Sequence, residues 1–133
     1  MITPVEATYL FRLWGSTHIW SGFRPRRIRP LVASLSLTEN CQARCVTCDY
    51  WKTKWDNAIS TAQAVQMIND LACAGVKYLR FTGGEPLLRR DFFEILDGIE
   101  ASRFRRITVQ TNGLLLKKLY KQINESPITK VTI

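Results

Sequence analysis

The sequence lacks several features that define large classes of protein. Its 133 residues include a single histidine, His18. No apolar run approaches the ~20 residues that a membrane-spanning helix requires. The N-terminus also lacks a basic start followed by an apolar stretch and a small-residue cleavage site, so it does not resemble a secretory signal. We therefore expect no membrane span and a cytoplasmic location.

Acidic residues are in short supply. Lys and Arg number 19 against 11 Asp and Glu, for a net charge of +8. Residues 1–30 contain five arginines and one glutamate, a net +4. Such an excess can indicate an anionic partner such as nucleic acid. Aromatic side chains do not alternate with the arginines at 24–29, as they would in a single-strand binder. We expect a solvated basic arm and no nucleic-acid partner.

Cysteine is scarce, but three of the four cysteines are clustered. Cys41, Cys45 and Cys48 have C-x3-C-x2-C spacing, which suits a metal or cluster better than disulfides. Thiolates hold iron–sulfur clusters, and three of them leave one iron of a four-iron cube without a protein ligand. Structural zinc is the main alternative, but neither Cys73 nor His18 belongs to a ligand-like pair. Cys73, in a predicted helix, is expected to serve as a small apolar residue.

Strand and helix patterns alternate from residue 31 to residue 133. The predicted strands span residues 31–37, 76–81, 107–110 and 128–133. The predicted helices between them carry three apolar stripes, namely Val65, Ile68, Leu71 and Ala72, then Phe92, Ile95, Leu96 and Ile99, then Leu115, Leu116, Leu119 and Ile123. This alternation predicts an α/β fold with parallel strands and about three and a half βα units.

Polar residues mark the predicted helix starts. Ser60 and Gln63 form a capping box, and Asp91 with Glu94 is expected to cap the following helix. A further capping box at residues 3–6 begins an N-terminal helix, and two prolines make residues 16–30 an irregular connector. The chain thus divides into an N-terminal helix and basic connector at 1–30 and a core domain at 31–133.

Three unusual segments each follow a predicted strand. They are the cysteine motif at 41–48, Gly-Gly-Glu-Pro at 83–86 and Thr-Asn-Gly at 111–113. Alone, the second is usually a turn and the third a helix N-cap. Parallel strands, however, bring these segments to one edge of the sheet. Glycines let backbone groups approach a ligand closely, and the Glu85 carboxylate is suited to accept from an ammonium group.

These motifs resemble the radical S-adenosylmethionine (radical SAM) superfamily. The resemblance rests on CQARCVTC at 41–48, TGGEPLLRRD at 82–91 and QTNG at 110–113, and it covers roughly residues 31–133. The chain is most similar to the branch that contains molybdenum-cofactor protein A and the SPASM-type maturases. The resemblance implies the N-terminal part of a partial (β/α) TIM-type barrel, truncated in its fourth strand.

The resemblance also implies cofactors and a reaction. Cys41, Cys45 and Cys48 would ligate a [4Fe–4S] cluster whose fourth iron chelates S-adenosylmethionine. One-electron reduction, by a donor such as flavodoxin or ferredoxin, would release a 5′-deoxyadenosyl radical that abstracts hydrogen from a small-molecule or peptide substrate. Peptide or cofactor-precursor maturation is the expected role. The implied cofactor-binding residues are Gly83, Gly84, Glu85, Thr111 and Asn112. A non-catalytic iron–sulfur or zinc module is the alternative function.

Two further positions bear on the resemblance. Arg80 stands two residues before the TGGEP threonine, where the molybdenum-cofactor member has a substrate-contacting arginine. A salt-bridged structural arginine is the alternative for Arg80. Thr47 stands where the family usually has an aromatic residue beside adenine, and Tyr50 or Trp51 is the candidate replacement.

Overall fold

The computed structural model of the chain describes residues 29–52 and 59–133. Strands and helices alternate throughout these residues. Their bounds are β1 Val32–Thr38, α1 Thr61–Ala74, β2 Tyr78–Gly83, α2 Phe92–Gly98, β3 Arg106–Gln110, α3 Leu116–Glu125 and β4 Lys130–Thr132. Short 3₁₀ turns lie at Tyr50–Lys52, Pro86–Leu88 and Ala101–Arg103. The predicted N-terminal helix and nearly all of the basic connector lie outside the described residues.

The four strands form one parallel sheet in the order β1-β2-β3-β4. Each strand therefore pairs with the next strand in sequence, after a helical crossover. A doubly wound sheet would reverse its strand order at a switch point, whereas a (β/α) barrel continues in one direction. The predicted partial barrel of α/β class is confirmed.

One face of the sheet is apolar and is covered by the helices. Phe81 of β2 and Phe92 of α2 are fully buried, and their rings meet edge-on with centroids 5.3 Å apart. Burying each ring contributes roughly 2 kcal/mol relative to leaving it in water. All four residues of the second predicted stripe are buried, as expected, although Ile99 lies one residue past the end of α2. In α3 the predicted stripe is only partly buried, because its neighbour β4 has three residues and shields little of it.

The other face of the sheet is polar. Register pairing aligns one row of side chains across all four strands, and residues paired in this way share a face. The row consists of Ser34, Arg80, Thr108 and Lys130. Arg80 and Lys130 are exposed, so this face carries two cations. Within the described residues, no helix is long and apolar enough to cross a membrane.

The predicted bounds of two strands, β2 and β4, need the largest corrections. β2 begins at Tyr78 and not at Val76, because the backbone N–H groups of Lys77 and Tyr78 both donate to the Leu31 carbonyl at the start of the ladder. The strand then continues to Gly83, which pairs with Thr38. The predicted strand over 128–133 is reduced to the three residues of β4.

The predicted helix caps have different outcomes. The Ser60–Gln63 capping box is confirmed, since the Ser60 Oγ accepts from the Gln63 N–H and the Gln63 Oε1 accepts from the Ser60 N–H. Asp91 occupies the N-cap position of α2 as predicted, but the expected capping bond is wrong, because its side chain makes none to the helix. Its carboxylate is instead held by Arg89 and Thr61.

Candidate functional site

The loop that leaves β1, here called the cysteine loop (residues 39–60, described at 39–52 and 59–60), carries three thiols. Cys41 and Cys48 are half-buried and Cys45 is exposed, and none of the three forms a disulfide. Free thiols at the carboxyl edge of the sheet are the donor set that an iron–sulfur cluster requires. No three His, Cys, Asp or Glu side chains of the described residues lie close enough together to hold a single metal ion.

Residues 83–86, here called the glycine loop, lie directly against the start of the cysteine loop. The Gly84 N–H donates to the Thr38 carbonyl at 2.9 Å, and the Glu85 N–H donates to the Asn40 carbonyl at 2.8 Å. A Cβ on Gly84 would stand 2.3 Å from the Asn40 carbonyl oxygen, which no real side chain tolerates. The second glycine is therefore required for these two loops to touch.

Glu85 joins the glycine loop to residues 111–113, here called the asparagine loop. Its side chain is completely buried. The carboxylate accepts from the Thr111 hydroxyl at 2.8 and 2.9 Å, from the Asn112 N–H at 2.7 Å and from the Leu87 N–H at 3.1 Å. These protein donors account for both carboxylate oxygens. The contact from Glu85 to the amino group of S-adenosylmethionine stays a prediction.

Asn112 joins the asparagine loop to the cysteine loop. Its Nδ2 donates to the Cys41 Sγ at 3.6 Å. Its Oδ1 accepts from the Leu114 N–H at 3.0 Å and from Gln42 Nε2 at 3.5 Å. The three loops that follow β1, β2 and β3 thus form one hydrogen-bonded unit, and the predicted convergence is confirmed.

Arg89 holds the two ends of the cysteine loop together. Its guanidinium donates to the Leu37 carbonyl, before the cysteines, at 2.9 Å and to the Ile59 carbonyl, after them, at 2.7 Å. It also forms a bidentate ion pair with Asp91, with both bonds at 2.8 Å. The Arg89 side chain is only 7% exposed. We call this arrangement the arginine clasp.

Asp91 connects the arginine clasp to α1. Its carboxylate also accepts from the Thr61 hydroxyl, in the first turn of α1, at 2.6 Å. The hydrogen bond and charge of Arg89 lower the pKa of the Asp91 carboxyl from 3.8 to about 2, against the opposing effect of burial. The carboxylate therefore stays ionised through the physiological range.

The aromatic residues near the cysteines are exposed. Tyr50 is 37% and Trp51 38% exposed. The Arg44 guanidinium lies 5.6 Å and the Lys52 ammonium 5.5 Å from the centre of the Trp51 ring, distances typical of cation–π contacts. Replacement of the missing aromatic residue at Thr47 by either of them stays a prediction.

Sequence reasoning missed two features of the site and misplaced one cysteine. Arg89 and Asp91 lie within the TGGEPLLRRD motif, but their ion pair at the base of the cysteine loop was not predicted. A contact to the distant Leu37 carbonyl leaves no local pattern in the sequence. Sequence reasoning also did not foresee the contact from Asn112 to a cysteine. The expectation for Cys73 is wrong, since this residue is exposed on α1, with Arg103 Nη1 3.5 Å from its sulfur.

Comparison with known proteins agrees with the resemblance of the sequence motifs to the radical SAM superfamily. The family model of the radical SAM superfamily matches residues 35–133. A GTP 3′,8-cyclase of Lactiplantibacillus plantarum is 39% identical over 106 residues, which cover 74% of this chain and 31% of that protein. A GTP 3′,8-cyclase of Synechocystis is 33% identical, over 81% of this chain and 33% of the relative.

A third relative has a different name. The molybdenum cofactor biosynthesis protein moc-5 of Caenorhabditis elegans is 33% identical over 105 residues, which cover 74% of this chain and 17% of that protein. The chain therefore spans a third or less of the length of these curated relatives. The family match covers the cysteine loop and every strand from the second half of β1 onward. The chain belongs to the radical SAM superfamily.

Proposed function

We propose that this chain forms the cluster and S-adenosylmethionine site of a radical SAM enzyme that acts on a nucleoside triphosphate such as GTP. The observation that carries the proposal is a loop with three free thiols that begins against the glycine loop and whose Cys41 contacts Asn112 of the asparagine loop. The polar face of the sheet, with its cationic row, adjoins the same edge. A binding surface and a radical source would thus share one side of the fold.

The family uses a [4Fe–4S] cluster and S-adenosylmethionine. Cys41, Cys45 and Cys48 would hold the cluster, which when bound supplies one electron to the sulfonium. The glycine loop would line the methionyl end, with Gly83, Gly84 and Glu85, and Thr111 and Asn112 would border the nucleoside. The electron balance requires one electron for each cofactor cleaved, so we propose a one-electron protein donor such as flavodoxin or ferredoxin. Unpaired thiols suit a reducing cytoplasm.

The substrate class rests on two supports. Two of the relatives described above are GTP 3′,8-cyclases by name. In this chain, Arg80 and Lys130 lie in one register row on the exposed polar face, where a polyphosphate would meet two cations. Neither of these two supports extends to a peptide substrate.

The cofactor part of the proposal is tested by anaerobic reconstitution of the full chain with iron and sulfide. We expect about four irons per chain, since a cubane holds four, and production of 5′-deoxyadenosine from S-adenosylmethionine after reduction with dithionite. Cluster uptake without 5′-deoxyadenosine would support the non-catalytic module instead. Zinc bound at one ion per chain in place of iron would contradict the proposal.

The substrate part is tested by equilibrium dialysis with GTP. We expect Arg80→Gln to weaken binding about tenfold, because an arginine–phosphate contact contributes on the order of 1–2 kcal/mol. Lys121→Gln is the matched control, since Lys121 is exposed on α3, which covers the opposite face of the sheet. Equal affinity of the Arg80→Gln variant and the unmodified chain would rule out this polyphosphate site.

A further inference from the structure

We infer that Asn112 raises the reduction potential of the cluster by donating a hydrogen bond to the sulfur of Cys41. The Asn112 Nδ2 lies 3.6 Å from the Cys41 Sγ, within the range of N–H···S bonds. The inference rests on the proposed function, because it requires that Cys41 ligate a cluster. It assigns Asn112 a role toward the protein ligand of the cluster, separate from its predicted contact with S-adenosylmethionine.

The orientation of the Asn112 amide is fixed by its other end. Its Oδ1 accepts from the backbone N–H of Leu114 at 3.0 Å, forming a turn that closes over two residues, and from the Gln42 side chain at 3.5 Å. Backbone N–H groups only donate, so an amide flipped by 180° would place its NH₂ group against the Leu114 N–H. The acceptor end is thereby committed to Leu114, and the donor end must face Cys41.

The backbone beneath the amide is equally constrained. The Asn112 N–H donates at 2.7 Å to the fully buried Glu85 carboxylate, and the Thr111 hydroxyl donates to the same group. The Thr111 Oγ1 in turn accepts from the Gly113 N–H at 3.1 Å. These contacts lock the asparagine loop against the glycine loop. The amide is therefore held in position before any cluster binds.

The physical effect follows from where the added electron resides. Reduction increases the negative charge of an iron–sulfur cluster and its thiolates, and hydrogen bonds to the sulfurs help to set the potential. A donor dipole aimed at a thiolate stabilises the reduced form more than the oxidised form. Removal of the Asn112 donor should therefore make the cluster harder to reduce.

Two substitutions separate this role from a structural one. Asn112→Asp keeps an acceptor for the Leu114 N–H but replaces the donor with negative charge. Asn112→Ala removes the donor without adding charge. If Asn112 served only to form the turn, Asn112→Asp would preserve that turn and Asn112→Ala would weaken it. A tuning role predicts the opposite order, with the larger effect in Asn112→Asp.

The test is a potentiometric titration of the reconstituted full chain, without S-adenosylmethionine or substrate, followed by electron paramagnetic resonance of the reduced cluster. At a fixed applied potential, we expect the ratio of reduced to oxidised cluster to fall about tenfold in Asn112→Asp, or 59 mV for one electron. We expect a smaller fall in Asn112→Ala. Asn124→Asp makes the same charge change at an exposed position on α3 and should leave the ratio unchanged.

The outcomes separate the inference from the proposed function. A fall in both Asn112 variants, with four irons retained, supports the inference. Potentials equal to that of the unmodified chain overturn it and leave the proposed function intact. Loss of the cluster from both variants, with circular dichroism unchanged, also overturns it, because a donor that only tunes the potential is not needed to hold iron. If the unmodified chain binds no cluster, the proposed function fails and the inference falls with it.

Discussion

The cysteine loop and the glycine loop face each other across one edge of the sheet, but they are stabilised in different ways. The glycine loop is internally satisfied, with Glu85 completely buried and both of its oxygens occupied by protein donors. In the cysteine loop, Cys45 is exposed and Val46 is fully accessible to solvent. The chain thus builds one half of the site from its own contacts. It leaves the thiols of the other half accessible to a ligand.

The difference indicates how the two halves would respond to the loss of a residue. Metal-ligating loops gain much of their stability from the bound group, because the unfolded chain rarely holds the ligands in place to bind it. A loop built on buried hydrogen bonds loses stability whether or not a ligand is present. Substitutions in the cysteine loop should therefore change cluster binding, and those in the glycine loop should change folding.

The largest effect is expected for the thiols themselves. Replacing Cys41, Cys45 and Cys48 together by Ala should abolish iron binding on reconstitution, measured by iron assay and by loss of the visible absorbance band. The midpoint of urea unfolding of the metal-free chain should be nearly unchanged, since none of these side chains is fully buried. Cys73→Ala is the control and should retain the iron. A triple variant that still binds four irons would contradict the assignment.

A smaller but still large effect is expected at the glycine loop. Glu85→Ala leaves the buried Thr111 hydroxyl and the partly buried Asn112 N–H without their acceptor. We expect a loss of about 3 kcal/mol in the free energy of unfolding of the metal-free chain, measured by urea titration. Glu94→Ala, at an exposed position of α2, should change it by less than about 0.5 kcal/mol. Equal stability of the two variants would show that Glu85 does not stabilise the contact between the glycine loop and the asparagine loop.

The arginine clasp holds the two ends of the cysteine loop together and should give the next effect. Arg89→Ala removes the donor shared by the Leu37 and Ile59 carbonyls, and we expect it to lower the free energy of unfolding by about 2 kcal/mol. Arg89→Lys should restore little of this, because an ammonium lacks the planar fork that serves the two carbonyls and Asp91 together. Arg90→Ala is the exposed control. Full recovery in Arg89→Lys would show that charge alone suffices.

The smallest effect is a dependence on pH. The pKa of the Asp91 carboxyl is lowered from 3.8 to about 2 in the folded chain, so its contribution is complete above about pH 5 and is lost as the pH falls toward 2. Between pH 5 and pH 3 this group should remove about 1 kcal/mol of stability. Urea titrations at these two pH values should show a shallower dependence for Asp91→Asn than for the unmodified chain. Asp97→Asn, exposed on α2, should retain the full dependence.

Much of the fold could be predicted because its signals are local. Apolar spacing of 3.6 residues in the helices, short alternating or apolar runs in the strands and the turn residues between them identified these strands and helices to within a few residues. The Ser60–Gln63 box gave the start of α1. The order of the elements then determined which loops meet. Even the errors at β2 and β4 are errors of boundary and not of element type.

The parts of the site that escaped prediction depend on contacts between distant residues. Asp91 has the residue type and spacing of a helix cap, but Arg89 and Thr61 provide stronger partners than the helix N-terminus does. The Asn112 amide reaches a cysteine 71 positions earlier in the chain. These hydrogen-bond partners depend on which side chains the tertiary structure brings together, and no periodic pattern in the sequence predicts them.

The arginine clasp also has a consequence for protein engineering. Since one guanidinium binds the backbone just before and just after the cysteine-bearing segment, the spacing between the two ends of that segment is set by Arg89 and not by the cysteines. A foreign metal-binding sequence spliced between those two ends would inherit their spacing from the scaffold. Other metal-binding sequences could therefore be tested on this fold without changes to the sheet.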